Sequence, residues 1–463
     1  MNNALLPFIK KSLVLAISAA LASTASSVAS AIPPLNVTNI TMDGTTGTTT
    51  SLVTLGAITK IDSATNGTTH STNLFFSFGQ FTVANTDTAT FVCSSCGSIS
   101  NVISRVTGGG ASGIYGSLNT SGFTTSPNFW FFNPSGIFFG SNTTINVPAA
   151  FHISTANSLN FGSGSLPSTA TTIGSTLVTG DPTSFGFLGS TGDITITGSN
   201  ITIGNGSKIE SANTVIINNA KIAPTSGTIE ITAQRSISVD SSPAPSPALP
   251  SALTANLIAT TTLTNAGKIT GNATATTGNL LNDGTITGNV LASLGTLTNS
   301  ATGTITGNAT ATASTLTNSG AITGNAEATA ADLQNNSGAT IGGSATAGTT
   351  LTNAGSITGD ATANGNTTTA IRLDNSGTIN GNAIATNSGL TNKATGKIKG
   401  NSTAQTDLTN VAGGQLGAAG KVATATTGNL LNDGTITGNA LASLGTLTNS
   451  ATGTITGNAT ATA

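Results

Sequence analysis

The chain has 463 residues, of which 6% are charged, 4% aromatic and 37% hydrophobic, with a formal net charge of −2. Ordinary domains are about 25% charged, and disordered chains pair low hydrophobicity with high net charge, so this composition is neither. So weak a field argues against nucleic-acid binding by phosphate neutralisation and against polybasic attachment to a membrane. The surplus lies in Thr, Asn, Gly, Ser and Ala, residues of strands and corners.

Residues 1–31 read as a secretory leader. Lys10 and Lys11 form a short positive region, Ser12–Ala22 is an apolar stretch too short to span a bilayer, and Ala29-Ser30-Ala31 is a small-residue cleavage site before Ile32-Pro33-Pro34. No later run approaches about 18 apolar residues.

Of the sixteen Phe, all but Phe8 fall between Phe75 and Phe187, with Trp130 and Tyr115. This step separates an aromatic-cored part, 32–240, from an aliphatic remainder. Ser241–Leu253, with Pro243, Pro245, Pro247 and Pro250, reads as a stiff, extended spacer, which sets a Pro-rich linker at 241–255. Within 32–240, Asn73–Val83, Asp193–Thr197, Asn200–Ile203, Thr214–Ile217 and Thr228–Thr232 have strand period. Asn101–Val106 is ambiguous and is assigned as strand. Asn128–Gly140 (NFWFFNPSGIFFG) holds the only Trp and five Phe around the tight-turn tetrapeptide Asn133–Gly136. Pro fixes φ there and Gly accepts positive φ. The reading is a buried corner between two strands, with Trp130 and Phe131 on opposite faces by period two.

From residue 256 the chain is a repeat array, L-x-N-x-G-x-I-x-G-N followed by Ala/Thr alternation, with Leu recurring every 17–22 residues from Leu263 to Leu447. Ile follows Leu by six or eight residues, an even offset that keeps both on one face of a strand-period chain. Residues 273–313 and 423–463 are identical apart from Val290 and Ala440. A period near 20 residues with short strands predicts an all-β parallel solenoid, rising about 4.8 Å per coil; the rival is a disordered low-complexity tail. Asn265, Asn282, Asn299 and Asn318 would form a ladder at one corner, and Asn272, Asn289, Asn308 and Asn325 another.

Asn73–Gly164 carries a resemblance. The segments NLFFSFGQFTV, ATFVCSSCGSISNVISRVTGGGASGIYGSL and SPNFWFFNPSGIFFGSNTTINVPAAFHISTANSLNFGSG are similar, in order and spacing, to the N-terminal secretion domain of the filamentous haemagglutinin family, also called the haemagglutination-activity or two-partner-secretion domain. Asn133, Pro134, Ser135, Gly136 and Ile137 correspond to that family's NPNGI, with Ser135 at the second Asn; its NPNL motif has no recognisable counterpart. The resemblance implies a right-handed parallel β-helix, exported by the general route and passed across the Gram-negative outer membrane by a β-barrel transporter partner. It also implies Asn133–Ile137 as a secretion motif. Relatives include adhesins, haemagglutinins, cytolysins and contact-dependent toxins.

Cys93 and Cys96 are the only cysteines, and in an exported chain a short-loop disulfide is the default. A zinc site would need more ligands than His70 and His152 supply, and no cofactor or metal is expected. Arg105, in ISRVTGG, is read as bonding corner carbonyls, the alternative being a contact for the transporter. Asp181, Asp193, Glu210 and the array's charges are scattered, whereas hydrolysis needs paired groups; enzyme activity is not expected. The reading is a secreted or cell-surface adhesin or haemagglutinin-like exoprotein, whose partners are the transporter and host or neighbouring-cell surface glycans or proteins. The alternatives are a cytolysin or contact-dependent toxin whose effector region is missing, and a β-helical polysaccharide-active enzyme.

Overall fold

The computed structural model describes residues 33, 36–173, 178–189, 191–240, 251–365 and 372–462. The leader expected at 1–31 lies outside them. All regular elements among the described residues are strands.

The strands wind into a parallel β-helix of three faces. On the first face Asn101–Val106, Asn128–Phe132, Phe151–Ser154, Lys208–Ser211, Ile229–Ala233 and Ala255–Ala259 pair in parallel, and the A-x-A strands of the repeats continue the column. The second face runs through Ser112–Ile114, Ile137–Phe139, Ile194–Thr197, Thr214–Asn218 and Ser236–Val239 into the L-x-N strands. The third collects strands from Ile58–Asp62 to Thr144–Asn146, then those from Asn200–Ile203 through the x-I strands. The eleven-residue strand Asn73–Val83 turns from the first face to the second: residues 73–78 pair with 101–106, and 82–83 with 113–114.

Most repeat coils send inward two Ala, one Leu, one Asn and one Ile; Val290 and Ser402 each replace an Ala, and Leu416 replaces an Ile. Ala273, Ala275, Leu280, Asn282 and Ile286 are all 0% exposed. Leu and Ile both point inward, as their even offset requires, but they belong to different faces and the Asn closes the corner between them. Glycine is required there: a Cβ on Gly284 would stand 2.1 Å from the carbonyl oxygen of Gly267 in the preceding coil.

The L-x-N asparagines form one ladder. Asn265 Nδ2 donates to Asn282 Oδ1 at 2.8 Å, Asn282 to Asn299 at 2.8 Å, and so on to Asn432, which donates to Asn449 at 2.7 Å. The second Nδ2 hydrogen goes to a corner carbonyl, such as Gly267 O or Gly303 O. The G-N asparagines stack differently. Each Oδ1 accepts the backbone N–H of the next coil: Asn272 from Asn289 at 2.8 Å, Asn289 from Asn308 and Asn308 from Asn325 at 2.9 Å.

The linker expected at 241–255 is corrected in part. Residues 241–250 lie outside the described set, but Ala252–Leu253 is a third-face strand paired to Lys221–Pro224 and Lys268–Ile269. On the other faces Ile231 lies beside Leu257 and Ile237 beside Leu263. The helix therefore resumes in register after the proline-rich stretch, because the strands on either side of it are direct ladder partners.

Asn335→Ala would strand Asn318 Nδ2 and Asn353 Oδ1, both buried. The expected cost is about 3 kcal/mol, read as lost amide hydrogen-exchange protection in the coils from Leu316 to Asn353. The outward neighbour change Gln334→Ala should stay within about 0.5 kcal/mol.

The candidate secretion site

Phe129–Phe132, in the strand Asn128–Phe132, is apolar without a break because it is buried on both sides. Phe129 and Phe131 point into the helix, with Phe81, Phe91 and Phe151. Trp130 and Phe132 point outward into a second core with Phe75, Ile103, Leu159, Phe161, Leu166 and Phe185. That core is closed by an antiparallel three-stranded sheet, Ser158–Phe161, Gly164–Pro167 and Pro182–Gly186, lying on the outside of the first face.

Two asparagines that open successive first-face strands, Asn73 and Asn101, hold the chain leading into the last strand of this outer sheet. Asn73 Nδ2 donates to the carbonyls of Val178 (2.8 Å) and Gly180 (2.7 Å). Asn101 Nδ2 donates to Asn73 Oδ1 and to Asp181 Oδ1, both at 2.9 Å. Asn101 Oδ1 accepts from Trp130 Nε1 at 3.3 Å. Sequence reasoning missed these residues, although the pattern Asn-apolar-apolar opens the strands at 73, 101 and 128.

Asn133–Gly136 turns the corner from the first face to the second. Gly136 N–H donates to Asn133 O at 3.1 Å, and Gly136 has φ +120°. Asn133 is 1% exposed. Its Nδ2 donates to Gly110 O and Ser112 Oγ, each at 2.9 Å, and its Oδ1 accepts from Ser135 N at 3.0 Å. Ile137 is buried in the helix core; Pro134 and Ser135 are half-buried. The next coil packs on the turn at Gly192, where a Cβ would stand 2.4 Å from Pro134 O.

Arg105 is 0% exposed. Its Nε donates to Ser77 Oγ (2.7 Å), Nη1 to Pro167 O (2.8 Å), and Nη2 to Thr45 Oγ1 (3.0 Å) and Ala170 O (2.6 Å). One side chain thus ties the first face, the outer sheet and the N-terminal segment together. Burial lowers its pKa, opposed by Asp43. Burial opposes ionisation of Asp43 as well, but hydrogen bonds from Ser77, Thr45 and Thr107 hold its carboxyl below the usual range. Of the two readings of Arg105, bonding to carbonyls and contact with the transporter, the folded domain shows the first at Pro167 and Ala170, with the residue buried.

Cys93 and Cys96 are joined as a disulfide, Cα atoms 5.5 Å apart, in the loop after Thr88–Val92. His70 and His152 are brought to different places. His70 Nε2 lies 3.2 Å from Ile173 O. His152 is buried and stacks on Trp130, ring centroids 3.8 Å apart. Its Nδ1 is buried without a hydrogen-bond partner.

A family model described as TPS secretion domain matches residues 38–304, more than half of the chain. The chain belongs to this family. The match runs through 241–255 into the first repeats, as the helix does. It makes the protein an exoprotein of two-partner secretion, carried across the outer membrane of a Gram-negative bacterium with an outer-membrane transporter as partner. No curated protein matches the chain. Among solved structures, the crystal structure of the HMW1 secretion domain from Haemophilus influenzae aligns over 92% of this chain and 100% of that one, at 15% identity and a TM-score of 0.25.

Burial, with Lys208 adding to it, lowers the His152 pKa from 6.5 to about 4. The fold therefore holds a neutral imidazole, while the unfolded chain takes up a proton near pH 6.5. Stability from this residue is complete above that pH and is lost as pH falls towards 4, by about 3 kcal/mol in all. Urea unfolding followed by Trp130 fluorescence at pH 7.5, 5.5 and 4 should show this slope in the wild type. His152→Gln should lack that part of it.

Proposed function

We propose that the TPS secretion domain is the export module of an adhesin. Residues 1–31 act as the leader, Asn133–Ile137 forms part of the secretion signal, and the repeat array meets glycans on a host or neighbouring cell. The observation that carries the adhesive part is the G-N corner. Asn272, Asn289, Asn308 and Asn325 are exposed on four consecutive coils, and each Oδ1 is used to cap the next coil. Their Nδ2 groups therefore face solvent as a row of neutral donors repeating at about 4.8 Å. Such a row suits a linear, uncharged polymer with repeated oxygen acceptors, and repetition converts weak contacts into avidity.

The array supplies its own controls for a test. Asp360 Oδ1 caps Asn382 N at 2.7 Å and Ser344 Oγ caps Asp360 N at 3.2 Å, so Asp and Ser both fit this corner without the amide donors. The triple changes N289D/N308D/N325D and N289S/N308S/N325S should fold and yet lower retention on host cells and on insoluble β-glucan at least tenfold. Retention unchanged in both would sink the adhesive reading of this corner.

For export, the internal bonds of Asn133 support a scaffold role for the motif. Asn133→Ala removes its bonds to Gly110 O, Ser112 Oγ and Ser135 N, at a cost of about 3 kcal/mol. Secretion through the co-expressed transporter should fall together with the unfolding midpoint of the purified protein. Secretion lost at an unchanged midpoint would point instead to direct contact with the transporter.

A further inference from the structure

The third face of the repeat array carries two rows of threonines. Its strands pair in parallel without a register shift, Lys268–Ile269 on Thr285–Ile286, then Thr304–Ile305, then Ala321–Ile322. Ile269, Ile286, Ile305 and Ile322 are buried, so the residues on either side of each point outward by period two. Those outward residues include Thr270, Thr285, Thr287, Thr304, Thr306 and Thr323, with Lys268 and Ala321 at the two ends of one row. The ladder fixes both rows. Thr285 N–H and Thr304 N–H donate to Gly267 O and Gly284 O at 2.9 and 2.8 Å, and Thr287 N–H and Thr306 N–H donate to Ile269 O and Ile286 O, both at 2.9 Å.

The hydroxyls of these rows are spare. Corner threonines spend theirs on the preceding coil, Thr277 Oγ1 on Thr260 O at 2.7 Å and Thr302 Oγ1 on Asp283 O at 2.8 Å. Among the described residues, none takes up the hydroxyls of the six face threonines. Threonine is stiff at χ1, so hydroxyl and methyl recur at fixed places. The repeats are about 4.8 Å from coil to coil and about 6.6 Å between rows, two residues of a parallel strand. Both are near the repeats of oxygen rows on the surface of ice. The asparagine ladder through Asn282, Asn299 and Asn318 runs along one edge of this face, and side-chain ladders help to keep a sheet flat. From Thr285 to Thr323 the outward positions of this face hold no charge, and no aromatic follows Phe187 on which a sugar ring could stack. The other faces break their rows, the first at Leu291 and Glu327 and the second at Leu281 and Gln334.

We propose that the third face of the repeat array, around Thr285, Thr287, Thr304 and Thr306, binds ice. The hydroxyls hold water at positions that continue the crystal, and the methyls fill the spaces between them. Each contact is weak, and the regular array adds them together. This site is separate from the G-N corner and does not depend on the adhesive reading of it.

The test grows ice slowly through a dilute solution of the purified protein and measures the fraction taken into the crystal. Wild type should be enriched in the ice, while an inert protein of similar size is excluded. T287K/T306K, which lifts two long side chains out of the face, should lower incorporation by about tenfold or more, because the loss is multiplied along the array. T287V/T306V keeps the shape and the methyls and removes only two hydroxyls, and it should fall between the two. T276K/T312K places the same charges at exposed positions of the first face and should match wild type. Circular dichroism and the unfolding midpoint establish that the compared proteins are folded; should T287K/T306K fail to fold, T287V/T306V decides. Exclusion of wild type from ice overturns the proposal. So does an equal loss in T276K/T312K, or retention of wild type by crystalline β-glucan through Thr287 and Thr306 with no incorporation into ice.

Discussion

The structure depends on one constraint: each coil satisfies its backbone only through the coils above and below it. Side-chain columns follow from that. Leu263, Leu280 and Leu297 are ladder partners, and so are Ile269, Ile286 and Ile305. Changes of length are admitted only where they leave the columns in register. Asn265 and Ile269 are separated by four residues, Asn299 and Ile305 by six. The extra pair in the second case, Ala301-Thr302, forms a turn outside the strands. At this corner the two residues enter as a pair; at the Ala-to-Leu corner a single residue is absorbed, since Leu333 follows Ala328 by five and Leu351 follows Ala347 by four while the two leucines remain ladder partners. The first described coils have another solution. There Asn39–Met42 pairs antiparallel with Asn73–Val83, and Val53–Leu55 with Ile58–Asp62.

The secretion domain differs from the array because its first face is buried twice. The outer sheet converts a half-exposed strand into a two-sided one, and the residue pattern changes from alternating to continuous, as in Asn128–Phe132. A two-sided strand has no solvent to satisfy outward polar groups, so those present are fully engaged. Arg105 has four hydrogen bonds and Asn101 links Asn73, Asp181 and Trp130. His152 is the exception: its Nδ1 is buried without a hydrogen-bond partner, and burial, with Lys208 adding to it, makes protonation there costly.

What was legible in the sequence was whatever repeats along the helix axis. The Leu, Ile and Asn columns stand out because one structural position is sampled once per coil, and the parallel fold, the Asn ladders and the opposite faces of Trp130 and Phe131 follow from period alone. What was illegible was made once. Arg105 sits in ISRV as any surface arginine would, and its acceptors at Pro167 and Ala170 lie more than sixty residues away. The Tyr115 hydroxyl donates to Pro33 O, 82 residues away, and the pair recurs nowhere. The spacer reading extended too far, to residue 255, for a related reason: proline density is a local signal, but the strands Ala252–Leu253 and Ala255–Ala259 are set by the coils around them.

The two parts of the helix also differ in how their stability is distributed. Burying a Phe, Leu or Ile side chain is worth roughly 1.5–3 kcal/mol. The coils whose Phe91 and Phe129 pack edge to face, with centroids 4.9 Å apart, have a far larger interior than one built on Leu280, Ile286 and two alanines. A repeat coil is therefore stable chiefly as a neighbour: its ladder asparagine, its corner glycine and its ladder strands all find partners one coil away. Nearest-neighbour stability of this kind propagates from an existing end more readily than it nucleates. The aromatic coils, which carry a second core and the Arg105 clamp, are the only described part of the chain with enough burial of its own to provide that end. Their position before the array then sets a direction, with order spreading from the secretion domain along the stalk.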